Sequence, residues 1–471
     1  MEAVTNERKE KPIVLHGNLL NRREFLRTSA VAGAAPVLAA PASPEKTQGT
    51  LPWLVGSGMA DITPPLEVGT LGSSTARLWK PFEGVRLPLH ARAVVVQKGD
   101  RRIAVVALEL LGLASEAVGG MNEFKKRVAA ESGHAVTPEN LVLACIHSHS
   151  APETLAMSDL PQTEPFRQWI GFLAQRIGSA IQSAAGSMRP CNLLVGCQSA
   201  PGLATYRRIM TNRGILQPHS IRPVDIVIGP EGPADDSVHI AAFVDQSGRP
   251  VAALVNGTAH PVYEMVPHRR VSPDYPGEMS IELEKRHPGL VALFLQGAAG
   301  NINSVGISVA GQGAAEARQH GQRLADVVDK ALGGLRPVGG DALALCWRTV
   351  NLPRHTASGQ PAAEPVSITI GAARIGNANF LFLPGEPFIE TALGIRKVFS
   401  PVEFLQVVGY AEAYIGYIPT DLAFDNGGYE CDPAFRWPWV TRVGRGSEPI
   451  IRQEALKLLR AVRGSETKNS D

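Results

Sequence analysis

The chain has 471 residues, 44% hydrophobic and 19% charged, a balance that excludes a disordered or fibrous protein and supplies enough apolar surface for a large core. Charge is nearly even, 46 Lys+Arg against 44 Asp+Glu, so no whole-molecule field draws it to nucleic acid or anionic lipid. Five scattered cysteines are too few for a disulfide framework or a Cys-rich zinc site.

The N-terminal segment reads as an address. Asn21-Arg22-Arg23-Glu24-Phe25-Leu26-Arg27 precedes an Ala-rich, weakly apolar run from Thr28 to about Ala42, with small residues at Ala40-Pro41-Ala42 suited to signal peptidase. This pattern resembles a twin-arginine export signal over residues 1–42 and predicts a periplasmic or secreted protein. Gly and Pro interrupt the run, which is too short for ~30 Å of hydrocarbon, and no later stretch is long enough, so no transmembrane segment is expected in the mature chain.

Further along, Ala91–Val96 and Ile103–Leu108 flank Lys98-Gly99-Asp100 and predict a strand hairpin. Short apolar runs at Leu141–Ile146, Val238–Val244, Val251–Val255, Val291–Leu295 and Phe380–Leu383 read as buried strands. Apolar residues at three- and four-residue spacing predict helices over Met121–Ser132, Phe166–Ala185, Met279–Arg286, Ala314–Leu335 and Glu386–Phe399. The mixture implies an α/β fold with mixed β-sheets flanked by helices, in one domain over 53–462. Gly229–Asp236 and Thr356–Glu364 read as surface loops.

Three strand ends carry candidate chemistry. His147 and His149, in Cys145-Ile146-His147-Ser148-His149-Ser150, are two apart and point to the same side of an extended chain; taken alone, such a pair is as often a hydrogen-bonded loop as a metal site. His260 emerges where Pro261 stops a strand. Glu386, in Leu383-Pro384-Gly385-Glu386-Pro387, lies at a strand-to-helix turn, where by itself it reads as a helix-start residue. Together these donors would suit zinc, which takes three or four N/O ligands with one position left for water.

The order of seven motifs adds a family. Asp61-Ile62-Thr63-Pro64-Pro65, His147-Ser148-His149, Asn256–Pro261, Ser272-Pro273-Asp274-Tyr275-Pro276-Gly277, Gln296-Gly297-Ala298-Ala299-Gly300-Asn301-Ile302-Asn303, Leu383–Glu386 and Tyr414-Ile415-Gly416-Tyr417-Ile418-Pro419-Thr420 occur in the order of the neutral/alkaline (non-lysosomal) ceramidases. The chain resembles their N-terminal catalytic domain over roughly 53–445. That resemblance implies one zinc ion (Zn2+) held by His147, His260, Glu386 and Tyr417, with His149, Tyr429 and Arg207 contacting the amide of a lipid or small-molecule substrate. It also implies attack by a zinc-bound hydroxide, formed because zinc lowers the pKa of bound water from 15.7 to ~7. His149, Tyr429 or Arg207 would stabilise the developing oxyanion, and a protonated His149 could supply the leaving amine's proton.

Two features depart from the family. Asn303 stands where ceramidases carry a Ser once assigned as nucleophile, with Ser304 one place off; a hydroxide route does not need that Ser, but recognition of the amide and its neighbouring hydroxyls is affected. Longer members add an immunoglobulin-like domain, and none is expected after Tyr429. Alternative expectations are a zinc hydrolase of an ester or of a carbohydrate- or peptide-linked amide, or a non-catalytic binding protein on the same scaffold. Trp437-Pro438-Trp439 reads as a possible wall of an acyl slot.

Overall fold

The computed structural model describes residues 53–73, 78–265, 269–306, 313–356, 360–399, 403–431 and 443–464, all within the compact unit Pro52–Asp471. The export-signal residues and Trp437-Pro438-Trp439 lie outside the described residues. Among the described residues no helix is long and apolar enough to cross a membrane.

Strand periodicity sorts the core. In His90–Lys98, Ala93 and Val95 turn toward helices Met121–Glu131 and Glu164–Gly186, meeting Phe124, Phe166 and Leu173. Val94 and Val96 turn the other way, into a layer that holds Phe380, Phe382 and Val408 of a second sheet. Each fully buried aliphatic or Phe side chain contributes about 1.5–3 kcal/mol of transfer free energy, so this two-sided burial fixes register throughout.

The first sheet runs, neighbour to neighbour, Val291–Gln296, Pro250–Gly257, Ser237–Asp245, Arg189–Ser199, Trp53–Asp61, His90–Lys98, Arg101–Leu108 and Leu141–Cys145, with Arg336–Pro337 beside Arg189–Ser199. The second orders Leu343–Leu352, Val366–Ile375, Ala378–Phe382 and Leu405–Val408. Helices Asp274–Arg286 and Ala314–Leu332 complete the cover of the first sheet. Ile389–Phe399 and Ser447–Gly464 pack with Ile370, Leu381 and Val407 on the outer face of the second. The layers are helix, sheet, sheet, helix, which is the mixed α/β architecture the sequence implies.

Most pairs are antiparallel. The three parallel pairs within the two large sheets each have a helix between their strands: Arg101–Leu108 with Leu141–Cys145, Pro250–Gly257 with Val291–Gln296, and Ala378–Phe382 with Leu405–Val408. Parallel strands need such crossovers, and ligands gather outside their carboxyl ends. His147, His260, Glu386 and Tyr410 all follow such ends.

The hairpin at Gly99-Asp100 forms as expected, Gly99 taking φ 56°. Two expectations change. Helix Asp274–Arg286 begins five residues before Met279, because Pro276 falls in the first turn, where a missing N–H costs nothing. Glu386 does not start a helix: Glu386–Pro387 is a short strand parallel to Tyr417–Ile418, and the helix begins at Ile389.

His320, on Ala314–Leu332, stacks on Tyr275 at 3.9 Å between ring centroids and lies 3.1 Å from the Tyr263 hydroxyl. Burial pushes its imidazole down to about 3. An unfolded His protonates near ~6.5, so below that pH the unfolded chain binds a proton that the folded chain refuses. The His320 contribution is therefore intact above ~6.5 and is lost at about 1.4 kcal/mol per pH unit as pH falls toward 3. Urea unfolding of wild type and His320→Phe at pH 7 and pH 5 is expected to show the steeper loss in wild type; parallel pH dependences would rule this out.

Candidate metal centre

The His147 imidazole is aimed by its own backbone and its neighbours. His147 adopts φ 70°, uncommon for a residue with a Cβ, and its N–H donates to Leu110 O at 2.9 Å. Its Nδ1 lies 2.6 Å from Leu111 O, which fixes the proton there and leaves the Nε2 lone pair facing inward. His260 repeats the device, with Nδ1 3.0 Å from Ile302 O.

Glu386 is delivered to the same point. Gly385 takes φ 63°, and a Cβ there would sit 2.5 Å from Gly416 O, so the turn needs glycine. The Glu386 Oε2 lies 3.3 Å from His147 Nε2 and 3.1 Å from His260 Nε2, while Tyr414 Oη donates to Oε1 at 2.6 Å and Tyr410 Oη to Oε2 at 3.3 Å. Burial opposes ionisation of this carboxyl, yet the imidazoles of His147 and His260 outweigh it and hold the group well below the usual carboxylate range.

His149 Nε2 lies 3.3 Å from His147 Nε2, and the ligating nitrogens of His147, His149 and His260 fall within 4.8 Å of one another. With both Nδ1 positions turned to carbonyls, the Nε2 atoms of His147 and His260 face the Glu386 carboxylate. Such a donor set could hold a divalent cation. Separations of 3.1–3.3 Å are those of donors about 2.0–2.2 Å from one ion at near-tetrahedral angles, so the residues present fit such a group.

His147, His260 and Glu386 are buried, whereas His149 and Tyr417 are partly exposed. Tyr417 stands opposite Glu386 in the parallel ladder, and its ring faces Tyr429 at 5.9 Å. Burial and the Glu386 charge raise the Tyr417 hydroxyl well above its usual range. Arg207 joins the cluster: its Nη1 is 3.1 Å from His260 Nε2 and 3.5 Å from Asn303 Oδ1, and its guanidinium carbon is 5.3 Å from the Tyr417 ring centre. Its buried Nη2 has no hydrogen-bond partner among the described residues.

All seven site residues expected from sequence thus lie in one neighbourhood. The expectation of a protonated His149 needs revision, because burial, reinforced by His147 and His260, holds its imidazole well below the usual His range. It starts neutral, and any proton it gives must first be received.

Several partners escaped sequence reading. Tyr410 and Tyr414 anchor Glu386, and Glu430, fully buried, binds Arg207 Nε and Arg208 Nη1 at 2.8 Å each. Other motif residues act as joints. Gln296 Nε2 donates to Ile146 O and Ala259 O, tying two ligand-bearing strand ends together, and Asn256 Nδ2 donates to Leu295 O and Val407 O, joining the sheets. Ser148 Oγ donates to Ser272 O at 2.7 Å, and Ser272 and Glu264 are gripped by Arg86. Side-chain amides and hydroxyls near strand ends were the available signal.

Comparison with known proteins bears on the family and the fold. Residues 53–211 match the model of the neutral/alkaline non-lysosomal ceramidase family, N-terminal. No curated protein matches the sequence. The fold matches the crystal structure of neutral ceramidase from Pseudomonas aeruginosa with a TM-score of 0.70 at 20% identity, covering 88% of this chain and 75% of that one. A ceramidase structure described as complexed with C2 matches equally well, at TM-score 0.70 and 20% identity over the same shares. Over residues 53–211 the sequence matches the N-terminal model of the neutral/alkaline non-lysosomal ceramidase family, and over 88% of its length the chain is similar in fold to a neutral ceramidase.

Proposed function

We propose that this protein is an exported, zinc-dependent hydrolase that cleaves the amide bond of an N-acylated lipid of the ceramide class. The convergence of His147, His149, His260 and Glu386 carries the reading, because a binding protein on this scaffold has no need of so costly a buried cluster. His147, His260 and Glu386 would hold the ion, with Tyr417 beside them. When bound, zinc supplies a Lewis acid and acidifies a water.

The chain's own groups do the rest. Arg207, anchored by Glu430, presents a buried N–H for an oxygen that gains negative charge. His149, neutral and partly exposed, takes up a proton at Nε2 and passes it to the leaving nitrogen. The Tyr410 and Tyr414 hydroxyls keep Glu386 ionised and oriented.

One observation favours a second reading of the substrate. Asn303 places its Oδ1 within 3.5 Å of Arg207, adding an amide where the family has a hydroxyl, which suits an ester or a differently substituted amide. Purified protein is expected to release fatty acid from N-acylsphingosine and lose that activity on chelation, regaining it with zinc. Turnover of ester or carbohydrate-linked analogues with none of N-acylsphingosine would replace the first reading by the second. Export follows the Arg22-Arg23 segment, and a periplasmic protein beginning after Ala42 checks it.

A further inference from the structure

A small three-stranded sheet stands beside the metal centre. Ile209–Thr211 pairs with Gly214–Leu216 on one side and Val227–Pro230 on the other. It grows directly out of the arginine pair: Ile209 follows Arg208, and at the far end Glu231 N donates to Arg208 O at 2.9 Å while its carboxylate grips the Arg208 guanidinium.

The outer strand of this flap and its approach have an unusual surface. Val224, Ile226, Val227 and Ile228 are 77%, 67%, 53% and 60% exposed. Scattered exposed aliphatics need no explanation, but four within five residues do. Basic groups border them: Arg213 and Arg222 share a single carboxylate, Asp225, at 2.6 and 3.6 Å, leaving one uncompensated positive charge at the edge.

We infer that this flap docks on an anionic lipid–water interface and places the mouth of the metal centre against the membrane or micelle that holds the substrate. The inference rests on the lipid reading above. A second copy of the chain fits less well. Pro223 and Pro230 bracket the edge strand and lack N–H groups for pairing. Four aliphatic side chains of on the order of 100 Å² each give roughly 800 Å² over two copies, below the ~1,200–2,000 Å² total of a stable interface. Shallow insertion of aliphatic side chains beside cationic ones is what an anionic interface stabilises.

Sedimentation with large unilamellar vesicles of phosphatidylcholine and phosphatidylglycerol tests this. Wild type is expected to bind, more weakly at high salt and without phosphatidylglycerol, and Ile226→Asp/Ile228→Asp to lose at least tenfold in partition with an unchanged thermal melt. The same variant should lose turnover of vesicle-embedded N-acyl lipid while keeping that of a water-soluble short-chain amide. Wild type that stays in the supernatant, a double variant that binds as well as wild type, or a wild-type dimer in sedimentation velocity that the variant converts to monomer would each overturn the inference. Because binding is read without turnover, vesicle binding without amide hydrolysis would sink the proposed reaction and leave the docking surface standing.

Discussion

Glu386→Ala protein is expected to lose its metal and at least ~10³ of its hydrolytic rate, an effect on the scale of removing a principal stabiliser of transition-state charge. In the wild type the carboxylate is the common partner of two imidazoles and two phenols. Deleting it leaves the Tyr410 and Tyr414 hydroxyls without their acceptor and removes the negative charge that offsets a cation. Elemental analysis of both proteins after identical purification, alongside amide turnover, gives the answer. Equal metal content would take Glu386 out of the coordination set. The parallel His149→Ala protein separates the two roles open to that residue, since a proton carrier can be lost with the ion retained and a ligand cannot.

Glu430→Ala is expected to be the most destabilising substitution near the site, at about 3–5 kcal/mol, the range for breaking a buried ion pair from one side. Glu430 is inaccessible and meets two guanidiniums, one of which, Arg208, is itself fully buried. Burial disfavours its charge, but Arg207 and Arg208 reverse that and hold the carboxyl below its usual range. Without it Arg208 keeps Glu231, whereas Arg207 loses the anchor of its Nε and its aim at the site. Activity should therefore fall together with stability. Urea denaturation of the Ala and Gln variants provides the measurement, Gln keeping the shape and an acceptor and losing less. A midpoint for Glu430→Ala within error of wild type would mean that the paired arginines find other partners.

Legibility followed the reach of each signal. Ala91–Leu108 could be read because an apolar run, a Lys-Gly-Asp turn and a second apolar run are local patterns. His147, His149, His260 and Glu386 could be nominated because each follows an apolar run; that His147, His260 and Glu386 meet was inferred from the donor set zinc takes and supported by motif order, since no local pattern brings His147 and Glu386 together. The second sheet went largely unread: Leu343–Leu352 runs through four consecutive half-buried positions that include Trp347 and Arg348, so its apolar signal is diluted. Tyr410 went unread, and Tyr414 entered only as a motif letter, because a phenol's role depends on which carboxylate lies beyond it. The exposed run at Val224–Ile228 gave no warning, for an apolar strand looks the same in sequence whether it faces a core or solvent.

The donors hang from two different sheets, His147 and His260 from the first and Glu386 from the second. Until those layers have docked, no nascent fragment owns a complete chelate. The cation would thus arrive last, acting as a latch on the closed sandwich that retards its opening more than it hastens its assembly.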